Sequence, residues 1–221
     1  MVILACVLRL GGFLGLNCDP ATYTGGRELR PPRAGIKVGS LYYVREEQTN
    51  DLSKPANLEP LCTTNLLKWG VVPSNQDTVS TISLTKKLKS SAELSVLDLQ
   101  MAKAGISGSW DDYYSYDLKN AKHTGITLVE MDKVYKNRAF QDDCDGWRTN
   151  IENNGWAAYQ IQSIYEGDVQ IGISDEISVD ADLMVKLRNF EPKVKAAIRR
   201  VIGATYDGKG VVAVFVPLPR K

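Results

Sequence analysis

Residues 105–121, GISGSWDDYYSYDLKNA, alternate almost without a break, and their reading decides the fold class. A period of two puts Ile106, Trp110, Tyr114, Tyr116 and Leu118 on one face of an extended strand. Ser107, Ser109, Asp111, Tyr113 and Asp117 fall on the other. Trp and Tyr suit a half-buried pleated surface, and Gly105 and Gly108 permit a bulge at its start. The pattern predicts one long strand, more aromatic on one side.

Two segments of the same character precede it, 79–88 and 92–101, so the three together read as an antiparallel meander. Downstream, Thr127 followed by Glu130 has capping-box spacing and starts a helix through Leu128, Met131, Val134 and Tyr135. A second helix carries Cys144, Trp147 and Ile151, with Asp142, Asp143 and Asp145 in its first turn and Asn154-Gly155 at its end. Alternation returns over 159–165, turns at Gly167-Asp168, and continues through 169–173 and 177–187. Pro192 opens a last helix over Val194, Ile198 and Val201, whose polar side holds Lys193, Lys195, Arg199 and Arg200. Asp207-Gly208 then turns the chain into a final strand over 211–216, stopped by Pro217. Upstream, 36–44 reads as a first strand, and Asn57 caps a helix over 58–69 that Gly70 ends. The expected fold is α+β: two antiparallel meanders in a twisted sheet, with two or three helices packed on one face.

Residues 1–18, MVILACVLRLGGFLGLNC, are apolar but too short and glycine-rich for a comfortable membrane span. They read as a signal-peptide-like leader, with Cys18 as the lipidation candidate of a lipobox in which Asn17 stands where a small residue is usual. Cys6 is the other candidate anchor if the true start lies upstream. Residues 19–35, DPATYTGGRELRPPRAG, are rich in Pro, Gly and Arg and read as a flexible linker. One globular domain is then expected over 36–221. A short lipobox-like leader, a tether and a compact β-rich domain resemble small bacterial envelope lipoproteins. That resemblance implies export to the periplasm or outer membrane and a lipid anchor.

Across 221 residues, 27 Lys and Arg stand against 26 Asp and Glu, so no global field draws the chain to nucleic acid. No P-loop or Rossmann glycine pattern calls for a nucleotide, and neither a cofactor nor a metal is expected. The four cysteines form no C-x-x-C pair, and His123 is the single histidine, placed in a turn-like segment, NAKHTG. Triads and Cys-His dyads would all have to draw on that one imidazole. The aspartates at 142, 143 and 145 lack the spacing of a calcium loop.

Cys62 and Cys144 each lie on the apolar side of an expected helix beside a tryptophan. In an exported protein they are expected to bridge; in a reducing compartment they would pack as buried thiols. Tyr113 with Asp111 and Asp117, on the face of the central strand away from the helices, is the candidate ligand-facing group. These readings favour a non-catalytic exported envelope protein, lipid-anchored, that binds an envelope protein or a membrane surface. A membrane-perturbing protein with amphipathic β-hairpins is the alternative, and a carboxylate-dependent hydrolase the third reading.

Overall fold

The computed structural model describes residues 26–45, 55–84, 92–144, 146–175, 177–202 and 209–220. The chain is α+β. Seven strands form one sheet: β1 (Arg27–Arg33), β2 (Leu41–Val44), β3 (Glu59–Cys62), β4 (Ser74–Ser83), β5 (Tyr114–Gly125), β6 (Ala157–Ile173) and β7 (Val211–Arg220). Every strand pairing is antiparallel. The helices are α1 (Ala92–Lys103), α2 (Trp110–Tyr113), α3 (Leu128–Tyr135), α4 (Arg138–Asp143), α5 (Trp147–Asn154) and α6 (Ala181–Ile202).

β6 is the spine. Its first residues pair with β2 (Leu41↔Gln160, Val44↔Ala157), and from Ser163 onward β5 takes over (Gly125↔Ser163, Tyr114↔Ile173). The handover falls at Ile161 and Gln162: Ile161 exchanges backbone bonds with Gly39 and Ser40, and the Gln162 carbonyl accepts from Ile126 N–H. β7 pairs along β6 from Ala158 to Gly167. Two hydrophobic cores follow from this division. One gathers Leu41, Leu58 and Leu66 under Met131, Val134, Phe140 and Trp147 of α3–α5. The other gathers Tyr114, Tyr116 and Leu118 of β5 under Leu94, Leu97 and Met101 of α1 and Leu187, Val194 and Ile198 of α6.

Two glycines make this crossing possible. Gly39 has φ +79° and a Cβ there would stand 2.4 Å from Leu66 Cδ2, so both backbone and packing demand glycine. Gly167 lies mid-strand, where a Cβ would stand 2.5 Å from the Lys119 carbonyl oxygen. The expected turn at Gly167-Asp168 is therefore a close approach of β6 to β5 inside a single 17-residue strand.

Several segments fold differently from what their sequence pattern predicts. Residues 105–121 do not form one strand: Ser109 N–H donates to Asp112 Oδ2 at 2.6 Å in a capping box that starts α2, and β5 begins at Tyr114. Residues 92–101, expected as a strand, form α1. Residues 181–187, expected as a strand, open α6, because Asp180 Oδ1 accepts Leu183 N–H at 2.7 Å and caps the helix twelve residues before Pro192. The expected helix over 58–69 is β3 followed by a 3₁₀ turn at Leu66–Trp69, capped by Asn65 and ended by Gly70 in the left-handed region. The helix carrying Cys144 and Trp147 is split into α4 and α5, so Asp142 and Asp143 fall in or next to the last turn of α4 instead of a first turn. The first strand occupies only Leu41–Val44 of 36–44.

Of the expected linker, residues 19–25 lie outside the described residues, and Arg27–Arg33 is β1, paired to β7. Composition misled here, because Pro31 and Pro32 sit on a sheet edge, where a missing N–H is tolerated. The same reason lets β7 run through Pro217 and Pro219: β1 pairs with it at Val212, Val214 and Phe215, and beyond that point β7 is itself an edge. The capping box at Thr127 and Glu130 forms as expected, with Thr127 N–H donating to Glu130 Oε2 at 2.7 Å.

Candidate functional site

Cys62 ends β3 and Cys144 caps α4, and the two stand at disulfide distance, Cα to Cα 5.7 Å across 82 positions of sequence. Cys144 is buried in the first core, beside Phe140 and Trp147. The contact fixes the α3–α5 layer to the short outer strand of its half of the sheet. Lys68 and Asp143 pair alongside, across the same junction.

The expected ligand-facing group is not assembled. Asp111 and Tyr113 belong to α2, with Asp111 accepting from Ser109 Oγ at 3.2 Å and the Tyr113 hydroxyl donating to the Ser107 carbonyl. Asp117 lies on β5, 4% exposed, accepting from Ser83 Oγ at 3.1 Å and facing Lys119 Nζ at 3.3 Å. The change from helix to strand at Tyr114 turns the residues onto different surfaces. His123, expected in a loop, is on β5 and stacks on its cross-strand neighbour Tyr165, ring centroids 4.5 Å apart. Cys6, Cys18 and Asp145 lie outside the described residues. Among the described residues, no three His, Cys, Asp or Glu side chains lie within reach of one metal ion.

Two polar clusters are engaged in holding the fold. At the outer end of β2, Tyr43 and Trp156 stack at 4.5 Å with the Arg45 guanidinium over both rings. Glu59 accepts from the Tyr43 hydroxyl at 2.7 Å and from Arg45 at 2.8 Å, and these bonds hold its carboxyl below the usual carboxylate range. Around Gln160, Arg220 donates to Oε1 at 2.7 Å while Nε2 donates to the Gly39 carbonyl at 3.0 Å. Arg220 also reaches Asp132 at 3.0 Å and lies 4.2 Å from the Tyr135 ring centre.

The surface with unspent chemistry is the outer face of α1 and α6. A groove of about 470 Å³ runs between them, lined by Val96, Leu97 and Gln100 of α1 and by Pro192, Lys193, Ala196, Ala197 and Arg200 of α6. Among the described residues, no carboxylate lines it. Gly105, just past α1, lies next to Lys186 near the start of α6, so the helices run antiparallel. Their core sides follow helical spacing, Leu94, Leu97 and Met101 against Leu187, Val194 and Ile198. Their outer sides expose Val96 (52%), Leu99 (56%) and Val185 (59%). Lys193 Nζ lies 4.9 Å from the Phe190 ring centre, and neither Lys193 nor Arg200 forms an ion pair among the described residues. Inside α6, Pro192 supplies no N–H to the Arg188 carbonyl, and the adjacent Leu187 carbonyl accepts the buried Tyr114 hydroxyl. Burial, with Glu191 nearby, pushes that phenol above its ordinary pKa.

The α1–α6 face is concealed in the sequence because 92–101 and 177–187 also fit a period of two. The readable signals were the i, i+3, i+7 spacing of Leu94, Leu97 and Met101, and Asp180 as a cap. No protein-family model matches the chain, and no curated protein matches it significantly.

Proposed function

We propose that this is a non-catalytic protein of the cell envelope, exported and held at a membrane through Cys18, whose α+β domain binds a partner there. The observation that carries the reading is the Cys62–Cys144 pair at disulfide distance, since such bonds persist in oxidising compartments and are rare in the cytosol. The apolar leader of residues 1–18 supports it from the sequence side.

Subcellular fractionation with palmitate labelling of the wild type and Cys18→Ser tests the proposal. Labelled, membrane-associated wild type and unlabelled Cys18→Ser are expected. Unlabelled wild-type protein in the cytosol overturns both export and anchoring.

A further inference from the structure

We infer that the outer face of α1 and α6 docks on an anionic membrane surface. The chain as a whole carries a formal charge of +1, yet α6 alone holds Lys186, Arg188, Lys193, Lys195, Arg199 and Arg200 against Asp182 and Glu191. α1 adds Glu93, Asp98 and Lys103, so the two helices bring seven cations against four acids. Asp98 accepts the Trp110 backbone N–H at 2.9 Å and keeps its charge, while Glu191 and Lys195 pair at 2.6 Å and cancel one acid with one cation, so the cationic excess is unchanged. The layer formed by the two helices thus carries an excess of three cations in a chain whose formal net charge is +1.

That layer also carries apolar side chains with no core to fill. Val96 and Leu99 are one turn apart on α1, and Val185, Pro192 and Ala196 follow helical spacing along the outer side of α6. Lys193 and Arg200 are separated by seven residues, about 10 Å along the axis, and flank the apolar floor of the groove. Exposed apolar residues between long cationic side chains are what an interfacial helix presents to lipid: the apolar groups enter the headgroup boundary while Lys and Arg meet anionic heads. Charge complementarity selects this occupant over a neutral protein surface, since each Lys or Arg near an anionic leaflet adds to the attraction. The inference rests on the envelope reading for its biological membrane, and its test is independent of the anchor.

The test is flotation of the full chain bearing Cys18→Ser, which cannot be acylated at that position, with vesicles of phosphatidylcholine alone or doped with phosphatidylglycerol. Binding to the doped vesicles only is expected, weakened at high salt and by about tenfold or more in Lys193→Gln/Arg200→Gln. Val96→Ser/Leu99→Ser is expected to weaken it as well. All four positions are exposed, and circular dichroism checks that each variant is folded. No binding, equal binding to both vesicles, or indifference to both double variants overturns the inference. So does self-association in sedimentation velocity that is lost in the same variants without any lipid binding. Palmitate-labelled wild type whose unacylated form ignores phosphatidylglycerol overturns the docking face alone. An unlabelled chain that binds those vesicles overturns the anchor alone.

Discussion

Gln160 shows how single residues hold this sheet together. It is fully buried on β6, and its amide joins the Gly39 turn, the α3 layer through Arg220 and Asp132, and the end of β7. Replacing it with Leu leaves the Gly39 carbonyl and part of the Arg220 guanidinium without their partner. A loss of about 1–3 kcal/mol in urea unfolding is expected. Gly39→Ala is expected to cost at least as much, about 1–3 kcal/mol, because it meets both a left-handed φ and the Leu66 side chain. Three half-buried carboxylates contribute to the acid behaviour. Glu59 is lowered first by the Tyr43 hydroxyl, Glu130 first by the Thr127 backbone N–H, and Asp132 first by Lys136 and then by Arg220. Each has a folded pKa below its unfolded one, so its contribution is complete above the ordinary carboxylate range of about 4 and is lost as pH falls through the folded value. The urea midpoint is expected to fall on acidification from about pH 6 to about pH 3, and Glu130→Gln is expected to flatten that slope. A midpoint that rises on acidification contradicts these assignments.

At the scale of elements, α6 is where local and tertiary preferences meet. Pro192 inside a helix costs up to about 3 kcal/mol, and the Tyr114 hydroxyl donates to a carbonyl next to the one left without its donor. Tyr114→Phe is expected to destabilise the protein by about 1–3 kcal/mol, read as a lower urea midpoint. An unchanged midpoint would show that the hydroxyl contributes nothing. The same helix shows what the sequence concealed. Residues 177–187 alternate as a strand does, but Leu183, Leu187, Phe190, Val194 and Ile198 also fit a helical stripe, and the Asp180 cap together with the α1 contact decides between the two periods. Residues 92–101 carried the same ambiguity. The α3 capping box and the hydrophobic final strand were legible because each is written in local chemistry or a single period, whereas Cys62 and Cys144 meet as expected but from a strand end and a helix cap instead of two helix faces. β1 was not legible: Arg27 and Glu28 are buried by the neighbours they pair with, and no local signal announces that.

Over the whole molecule, β6 carries two cores that share one strand, and the Cys62–Cys144 contact closes the half built on β1–β3 and α3–α5. A covalent bond spanning 82 positions would restrict the unfolded chain and add about 4 kcal/mol of stability. The other half, with α1 and α6 outermost, presents the cationic and apolar face. This division gives one half a staple suited to an oxidising compartment and the other a surface suited to lipid. The staple is the more direct test of where the protein works. Alkylation of free thiols in intact cells, followed by mass spectrometry without reduction, is predicted to recover Cys62 and Cys144 as one linked peptide pair. Recovery of both as separately alkylated, reduced cysteines would contradict the account.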